Sequence, residues 1–574
     1  MLFTTRFDRV LDTNYAPSEE ERSEIRALVV DPVDELRKLD QEITRLQAQR
    51  DELNQFILKH RMLLSPFRRL PGDLWGEIFV RCLPDESLPV RSLVEAPLLF
   101  TSICHSWREI ALSTPRLWNA IHISIPNPLS RYAWLLHDRT EGVKLWLTRS
   151  GSLPLTISLG SKPRSVWDQF VQSDMERVEN SHKAFFTMLY QFSYRWKSLT
   201  FSGLPSSFLR RLETRRGEED APLVTEIIQQ ERFQPGSMQF QGETYPAVLS
   251  LFARSPAIRV LDIELPQISA LAKFPTRSAG LTVLRLHLRN PIDCTTVLRA
   301  LCILCPALLE LSLIMYPSLN HFVAESTPAV VWEYLQRLYL SFPDDDDESA
   351  IRKSFDTITT PSLAHLGLFS HSLNYNQDVD LIRHGGLPFD DLIIRSKCDL
   401  LSLHLSIPLG EELAESLIHL TSLKTLKLFP LAKRGRLPRT PNPEDDEIPR
   451  DPSPLEVAIT SLSSSENDLL CPNLEEIRFE FCRPGEVEQL LNFVHTRARL
   501  STSFNALRAS FGRISSKAIG SIKSASKEAR GKIAGVRVEW DFTRIRSLSA
   551  DRRDERDDPR DGMAIREKVE REVI

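Results

Sequence analysis

Residues 308–313 read LLELSL: an aliphatic residue, two variable ones, an aliphatic, one variable, an aliphatic. The same template recurs as IRVLDI from 258, LTVLRL from 281, LQRLYL from 335, LAHLGL from 363, LLSLHL from 400, LKTLKL from 423 and LEEIRF from 474. Successive starts lie 23, 27, 27, 28, 37, 23 and 51 residues apart. Alternation of apolar and variable positions at the end of each copy predicts a strand with one buried face. Proline enters shortly before three copies, in Cys305-Pro306, Thr360-Pro361 and Cys471-Pro472, where it ends one element and leads into the next. Eight copies on so regular a pattern argue for stacked units rather than unrelated Leu-rich strands.

The shorter steps are similar to the period of leucine-rich repeats, about 20–29 residues, and the longer ones imply insertions. The predicted fold class is α/β, with an N-terminal helix and a small helical module followed by an irregular leucine-rich-repeat solenoid over residues 120–500. WKSLTF from 196 reads as an earlier unit, and 128–149 with LWLTRSGSLPLTISL as a helix, a turn and a strand. In such a solenoid the third, fifth and seventh template positions line a concave face. They include Arg285, His287, Arg337, Tyr339, Phe369, His404, Lys427 and Phe429, the candidate substrate-binding residues. Exposed rings on such a face mark contact sites, which favours Tyr339, Phe369 and Phe429. For Asp262, Glu264, Arg285 and His287 an equal alternative is pairing between adjacent strands.

Flexible insertions are expected near 212–245 and 433–467, the second rich in proline and charge. The acidic run DDDDES after Pro343 lacks the alternating spacing of a calcium loop and reads as solvated. Residues 501–574 form a C-terminal cap and charged tail. Arg497 to Lys532 is a basic stretch that reads as a terminal cap with a wet basic face and VRVEWDF at 536–542 as its strand; the alternative is one basic amphipathic helix that binds membrane or RNA.

At the other end, residues 1–31 are polar and aperiodic and are expected to be disordered. Asp31-Pro32 is read as a helix start, opening an amphipathic helix over 32–62. Leu36, Leu39, Ile43, Leu46, Leu53 and Ile57 follow spacings of three and four, interrupted by Arg50. That pattern makes 33–60 a candidate for self-association through a coiled coil, the alternative being a helix folded back on its neighbour. Residues 65–86, SPFRRLPGDLWGEIFVRCLPDE, then carry Leu74, Trp75, Ile78, Phe79 and Cys82 on one face of a short helix. Leu99, Ile103, Trp107, Ile110 and Ala111 predict a second amphipathic helix. A module of some fifty residues with this much apolar surface is marginal by itself and calls for a partner.

Leu70-Pro71, Leu74-Trp75, Ile78-Phe79 and Cys82-Leu83-Pro84, followed by SICHSWREIALSTPRLW at 102–118, resemble an F-box over residues 63–119. The segments after it are similar to those of a large fungal class of F-box proteins. The resemblance implies a three-helix module that docks on a Skp-type adaptor, and through it a cullin–RING ubiquitin ligase. Leu70, Pro71, Leu74, Trp75, Ile78, Phe79, Leu83, Cys104 and Trp107 would make that contact. It implies a substrate receptor; the alternative is an interaction scaffold that binds the adaptor without promoting ubiquitination.

Charge and motifs narrow the rest. With 72 Lys and Arg against 77 Asp and Glu, the net charge of −5 argues against a dedicated nucleic-acid binder. The first residues, MLFTTRFDRV, lack the apolar core of a signal peptide, and no window reads as a membrane span. Eight cysteines without regular spacing suggest reduced thiols and a cytoplasmic or nuclear protein. No nucleophile elbow, phosphate loop or metal motif occurs, and Cys302-Ile303-Leu304-Cys305 lacks a second ligand pair. The chain is thus expected to be no enzyme and to need no cofactor or metal.

Overall fold

The computed structural model describes residues 4–64, 66–85, 87–125, 135–160, 175–202, 204, 222–229, 244–266, 268–274, 280–288, 294–315, 329–343, 352, 354–371, 389–406, 412–428, 454–463, 469–514, 516–529, 535–544 and 569–573. The chain falls into two compact units, Met1–Ile78 and Phe79–Ile574.

The first unit is dominated by one helix, α1 (Glu19–Leu63). It begins at Glu19, upstream of the expected start at Pro32. Ser18 caps it: the hydroxyl accepts from Glu21 N–H, and the Glu21 carboxylate accepts from Ser18 N–H. Glu19, Glu20 and Glu21 then meet the positive end of the helix dipole. Pro32 lies inside α1, where its ring forfeits one backbone hydrogen bond without ending the helix. A 3-10 turn, Pro66–Arg69, leads to helix α2 (Gly72–Arg81), within which the boundary between the two units falls.

The second unit holds a mixed α/β arrangement around one large sheet. Its strands are β1 (Ala120–Ser124), β2 (Leu155–Gly160), β3 (Trp196–Ser202), β4 (Glu226–Gln229), β5 (Val260–Leu265), β6 (Val283–Leu288) and β7 (Glu310–Met315). They continue as β9 (Arg337–Pro343), β11 (His365–His371), β12 (Ser402–Ser406), β13 (Thr425–Leu428), β14 (Glu476–Cys482), β15 (Ala506–Ile514), β16 (Arg537–Arg544) and β17 (Val569–Val573). Among the described residues these fifteen pair in strict chain order; each neighbour is parallel except β17, antiparallel to β16. β8 (Val330–Val331) and β10 (Ile358–Thr359) form a separate two-stranded ribbon.

All eight templates lie on strands, and each strand begins at the template's third residue. The aliphatic positions point one way and are sealed: Leu284, Leu286, Leu311, Leu313, Leu338, Leu340, Leu403 and Leu426 are fully buried. Each such side chain contributes roughly 1.5–3 kcal/mol relative to leaving it in water. Intervening helices add their own apolar faces, as in Cys294–Leu304, where Val297, Leu298 and Leu301 are buried. The segment 128–149 contributes the helix Leu135–Arg149, and Gly151, at φ +60°, turns the chain toward β2.

Buried arginines tie the backbone between strands. Arg195 donates to the carbonyls of Leu153 and Leu147 and to the Ser150 hydroxyl. Arg497, 1% exposed, donates to the carbonyls of Leu470 and Cys471, each at 2.6 Å. Arg395, only partly buried, donates likewise to the carbonyls of Phe355 and Ile358. In each case a cation satisfies carbonyls that lie outside the strand ladder.

Several sequence expectations are corrected. The helix expected over 99–111 is two, Phe100–Ile103 and His105–Leu112, because Cys104 is extended (φ −157°, ψ 167°) and its Sγ caps the second from Trp107 N–H. The basic stretch is not one helix. Arg497 and Arg499 end the helix Val487–Leu500, Arg508 sits on β15, and Lys523 and Lys527 lie on the helix Ser516–Ala529. The alternation Leu507, Ala509, Phe511, all buried, makes the middle segment a strand. The insertion expected over 212–245 contains β4, whose Ile227 is fully buried between β3 and β5. The DDDDES run and 433–453 lie outside the described residues.

Candidate functional site

The face of the sheet opposite the leucines carries the variable template positions in register. One row crosses ten strands: Asp262, Arg285, Ser312, Tyr339, Gly367, His404, Lys427, Arg478, Arg508 and Glu539. Parallel pairing with no slip between β5 and β13 sets these side chains about 4.8 Å apart.

Toward the N-terminal side the row is self-neutralising. Glu310 receives Arg285 and Arg337, each at 2.8 Å, from the strands on either side. His287 lies 3.6 Å from Asp262. The expected strand-to-strand pairing is therefore present for His287, whereas Arg285 turns to Glu310. Both arginines are partly exposed, so these pairs order the face more than they stabilise it.

At the centre the surface changes character. Tyr339 is half-buried, and burial beside Glu310 raises its phenol pKa. Its ring lies where a side chain on Gly367 would stand; a Cβ there would overlap Tyr339 and crowd Phe369. Phe369 meets the His404 ring edge-on at 4.6 Å. Burial, with Lys427 and Arg478 close by, pushes the His404 pKa down to about 4, so the ring is neutral at physiological pH. Its Nε2 is buried and finds no hydrogen-bond partner among the described residues. Burial lowers the His365 pKa as well.

Past His404 come three successive cations. Lys427 has no ion pair among the described residues. Arg478 approaches Glu476 at 3.6 Å, and Arg508 bridges Glu476 and Glu539, each at 3.0 Å. Tyr339, Phe369, His404 and Lys427 thus come together; Arg285, His287 and Arg337 belong to the salt-bridged part, and Phe429 lies outside the described residues. Sequence reading put Arg508 in the C-terminal basic stretch rather than on this face because β15 lacks the template, and it gave Gly367 a place on the face but no role because a glycine contributes only space. The arrangement offers a flat aromatic edge beside unneutralised positive charge, suited to a peptide that brings a carboxylate or backbone carbonyl next to an apolar group.

The second set of expected residues falls on both sides of the boundary between the two units. Leu74 is 50% exposed and Ile78 38%, Pro71 is exposed, Leu70 is half-buried, and Trp75 is half-buried with its ring 6.1 Å from Phe67. Phe79 is buried, stacked on Phe100 at 4.2 Å and tilted against Trp107 at 5.0 Å. Trp107 and Leu83 are half-buried, Cys104 is exposed, and Ile103 is 51% exposed. Phe79 is sheltered, the two tryptophans, Leu70 and Leu83 are half-covered, and Leu74, Ile78 and Ile103 are exposed.

The Cys302–Cys305 pair has no sign of redox activation. Cys305 is buried and its thiol is pushed up to about 12, while Cys302 Sγ lies 3.5 Å from the Val331 carbonyl. No described helix is long and apolar enough to cross a membrane. Compared with known families and with curated proteins, the chain matches no family model and no curated sequence.

Proposed function

We propose that the chain is a substrate receptor of a Skp–cullin–F-box type ubiquitin ligase, with an F-box over 63–119 and a leucine-rich-repeat solenoid that captures a protein. The observation that carries this reading is the exposure of Leu74, Ile78 and Ile103, apolar residues in the segments that resemble an F-box. Each is about half covered already, so a docked adaptor would add roughly half of the 1.5–3 kcal/mol that burying a fully exposed aliphatic side chain gives. The in-register strand row supports the second half: parallel strands in strict chain order are what stacked repeats produce, and the Tyr339–Phe369–His404–Lys427 surface is the docking place for substrate. Such a receptor acts by proximity. It holds no reacting group and needs no cofactor; tethering raises the concentration of substrate lysines near the charged conjugating enzyme.

Co-expression with a Skp-type adaptor tests the reading. Leu74→Asp and Ile103→Asp alter exposed side chains, so the chain should stay folded yet fail to co-purify with the adaptor. Equal recovery of adaptor by the original and both variants would remove the proposal. Ubiquitin chains on a captured protein, lost with Leu74→Asp, separate ligase from scaffold: adaptor binding without chains leaves only the scaffold reading.

A further inference from the structure

We infer that α1 is a dimerisation element that pairs with α1 of a second copy in antiparallel orientation, with Leu36 facing Leu53 of the second copy. The helix has 45 residues and buries none of them. Along one seam Leu36, Leu39, Ile43, Leu46, Leu53 and Ile57 are 44–62% exposed. They occupy alternating first and fourth positions of a heptad, the pattern that packs knobs into holes against another helix.

Charge selects the second copy and its direction. Arg50 stands at a first heptad position, inside the seam, and its partner within the chain is its sequence neighbour Asp51, itself largely exposed. A parallel pair would place Arg50 on Arg50. Flanking the seam, Glu35 and Glu42 are held by Lys38 and Arg45 of their own helix, while Asp40 has no ion pair among the described residues. In an antiparallel pair with Leu36 opposite Leu53, Leu39 of the second copy faces Arg50, and the adjoining Asp40 supplies the missing carboxylate. The same contact forms twice by symmetry. Sliding the helices one heptad toward their N-termini would set Asp40 against Asp40 and Glu42 against Glu42. Sliding one heptad the other way would put Arg50 opposite Leu46, beside Gln47 and away from any acid. One register therefore brings Asp40, which has no ion pair among the described residues, beside Arg50, whose exposed partner is Asp51, and keeps Ile43 on Leu46 at its centre.

This pairing is independent of the ligase reading, and sedimentation of the purified full chain tests it. A dimer is expected, tightened about tenfold by Arg50→Leu and loosened about tenfold by Asp40→Lys, which sets two cations side by side at two symmetric places. A parallel pair would respond in the opposite sense to Asp40→Lys, since lysine would then approach Glu35; tightening by that variant overturns the inference. So does a chain that sediments as a monomer at every concentration, which would leave the seam to another partner. In a Cys82→Ser, Cys104→Ser background, mild oxidation of the Leu36→Cys, Leu53→Cys double variant should give a covalent dimer. Leu36→Cys alone should not, and a covalent dimer from it would show the parallel arrangement instead.

Discussion

Helix α1 and the parallel sheet are both built on regularly spaced leucines, yet they end in opposite environments. Leu338 and Leu340 on β9 are fully buried; Leu39 and Leu46 on α1 are about half exposed. The difference is where the next apolar surface comes from. A template strand finds its neighbour roughly 25 residues along the same chain, so each copy covers the one before it. The seam of α1 has no second copy within the chain to close it. Periodicity encodes a surface that wants covering, and topology decides which molecule covers it.

The sharpest break of that contrast is a pair of matched truncations. Leu340→Ala should cost about 3–4 kcal/mol in urea unfolding, through lost transfer energy and the cavity left in a packed core. Leu46→Ala should cost under about 0.5 kcal/mol in the unassociated chain, because alanine is a good helix former and little buried area is lost. Equal losses at the two sites would mean that α1 is buried within its own chain, contrary to the exposure of its leucines.

Next in size is Arg497→Met. Methionine keeps most of the volume but removes the donors to the Leu470 and Cys471 carbonyls, and a loss of about 2–3 kcal/mol should follow. Part is returned, since the guanidinium is itself desolvated and its pKa lowered by burial. A neutral outcome would show that these carbonyls reach water once the arginine is gone.

Legibility followed the same divide. The template strands could be placed to the residue, since a period of two with leucine at each inward position leaves one register. β1 and β4 were missed: AIHIS and EIIQ are short, and only their parallel neighbours make them strands. The start of α1 was misread because Pro32 is a strong local signal, while the capping box of Ser18 and Glu21 lay in a segment that looked featureless. Cys104 breaks a helix with no proline or glycine to announce it. At the candidate site the row of variable residues was readable, but the ion-pair choice of Arg285 and the space left by Gly367 depend on neighbouring strands and had no signal within one repeat.

The salt-bridged and aromatic halves of the row should also differ with pH. His404 in the folded chain titrates near 4, against 6.5 ordinarily, so between those values the unfolded chain binds more protons. Its contribution is complete above pH 6.5 and is lost as pH falls through that window, up to about 3 kcal/mol by pH 4. His404→Phe should flatten that part of the stability profile. An unchanged profile would place the titration elsewhere.

The smallest effect concerns the end of α1. Ser18→Ala removes the hydroxyl that accepts from Glu21 N–H but keeps the backbone N–H that donates to the Glu21 carboxylate, at a cost of about 1 kcal/mol. Because no residue of the first turns is buried, and Arg6 and Tyr15, which reach Glu24 and Glu21, come from the same N-terminal segment, the loss should stay local: faster amide exchange over residues 19–25, with the unfolding midpoint of the sheet unmoved. The Glu21 carboxylate, whose pKa is lowered chiefly by its bond from the residue-18 N–H, should stay below its ordinary value, since alanine keeps that donor. A matching shift in the global midpoint would mean that the start of α1 unfolds together with the leucine core, so that the two regions are one cooperative system.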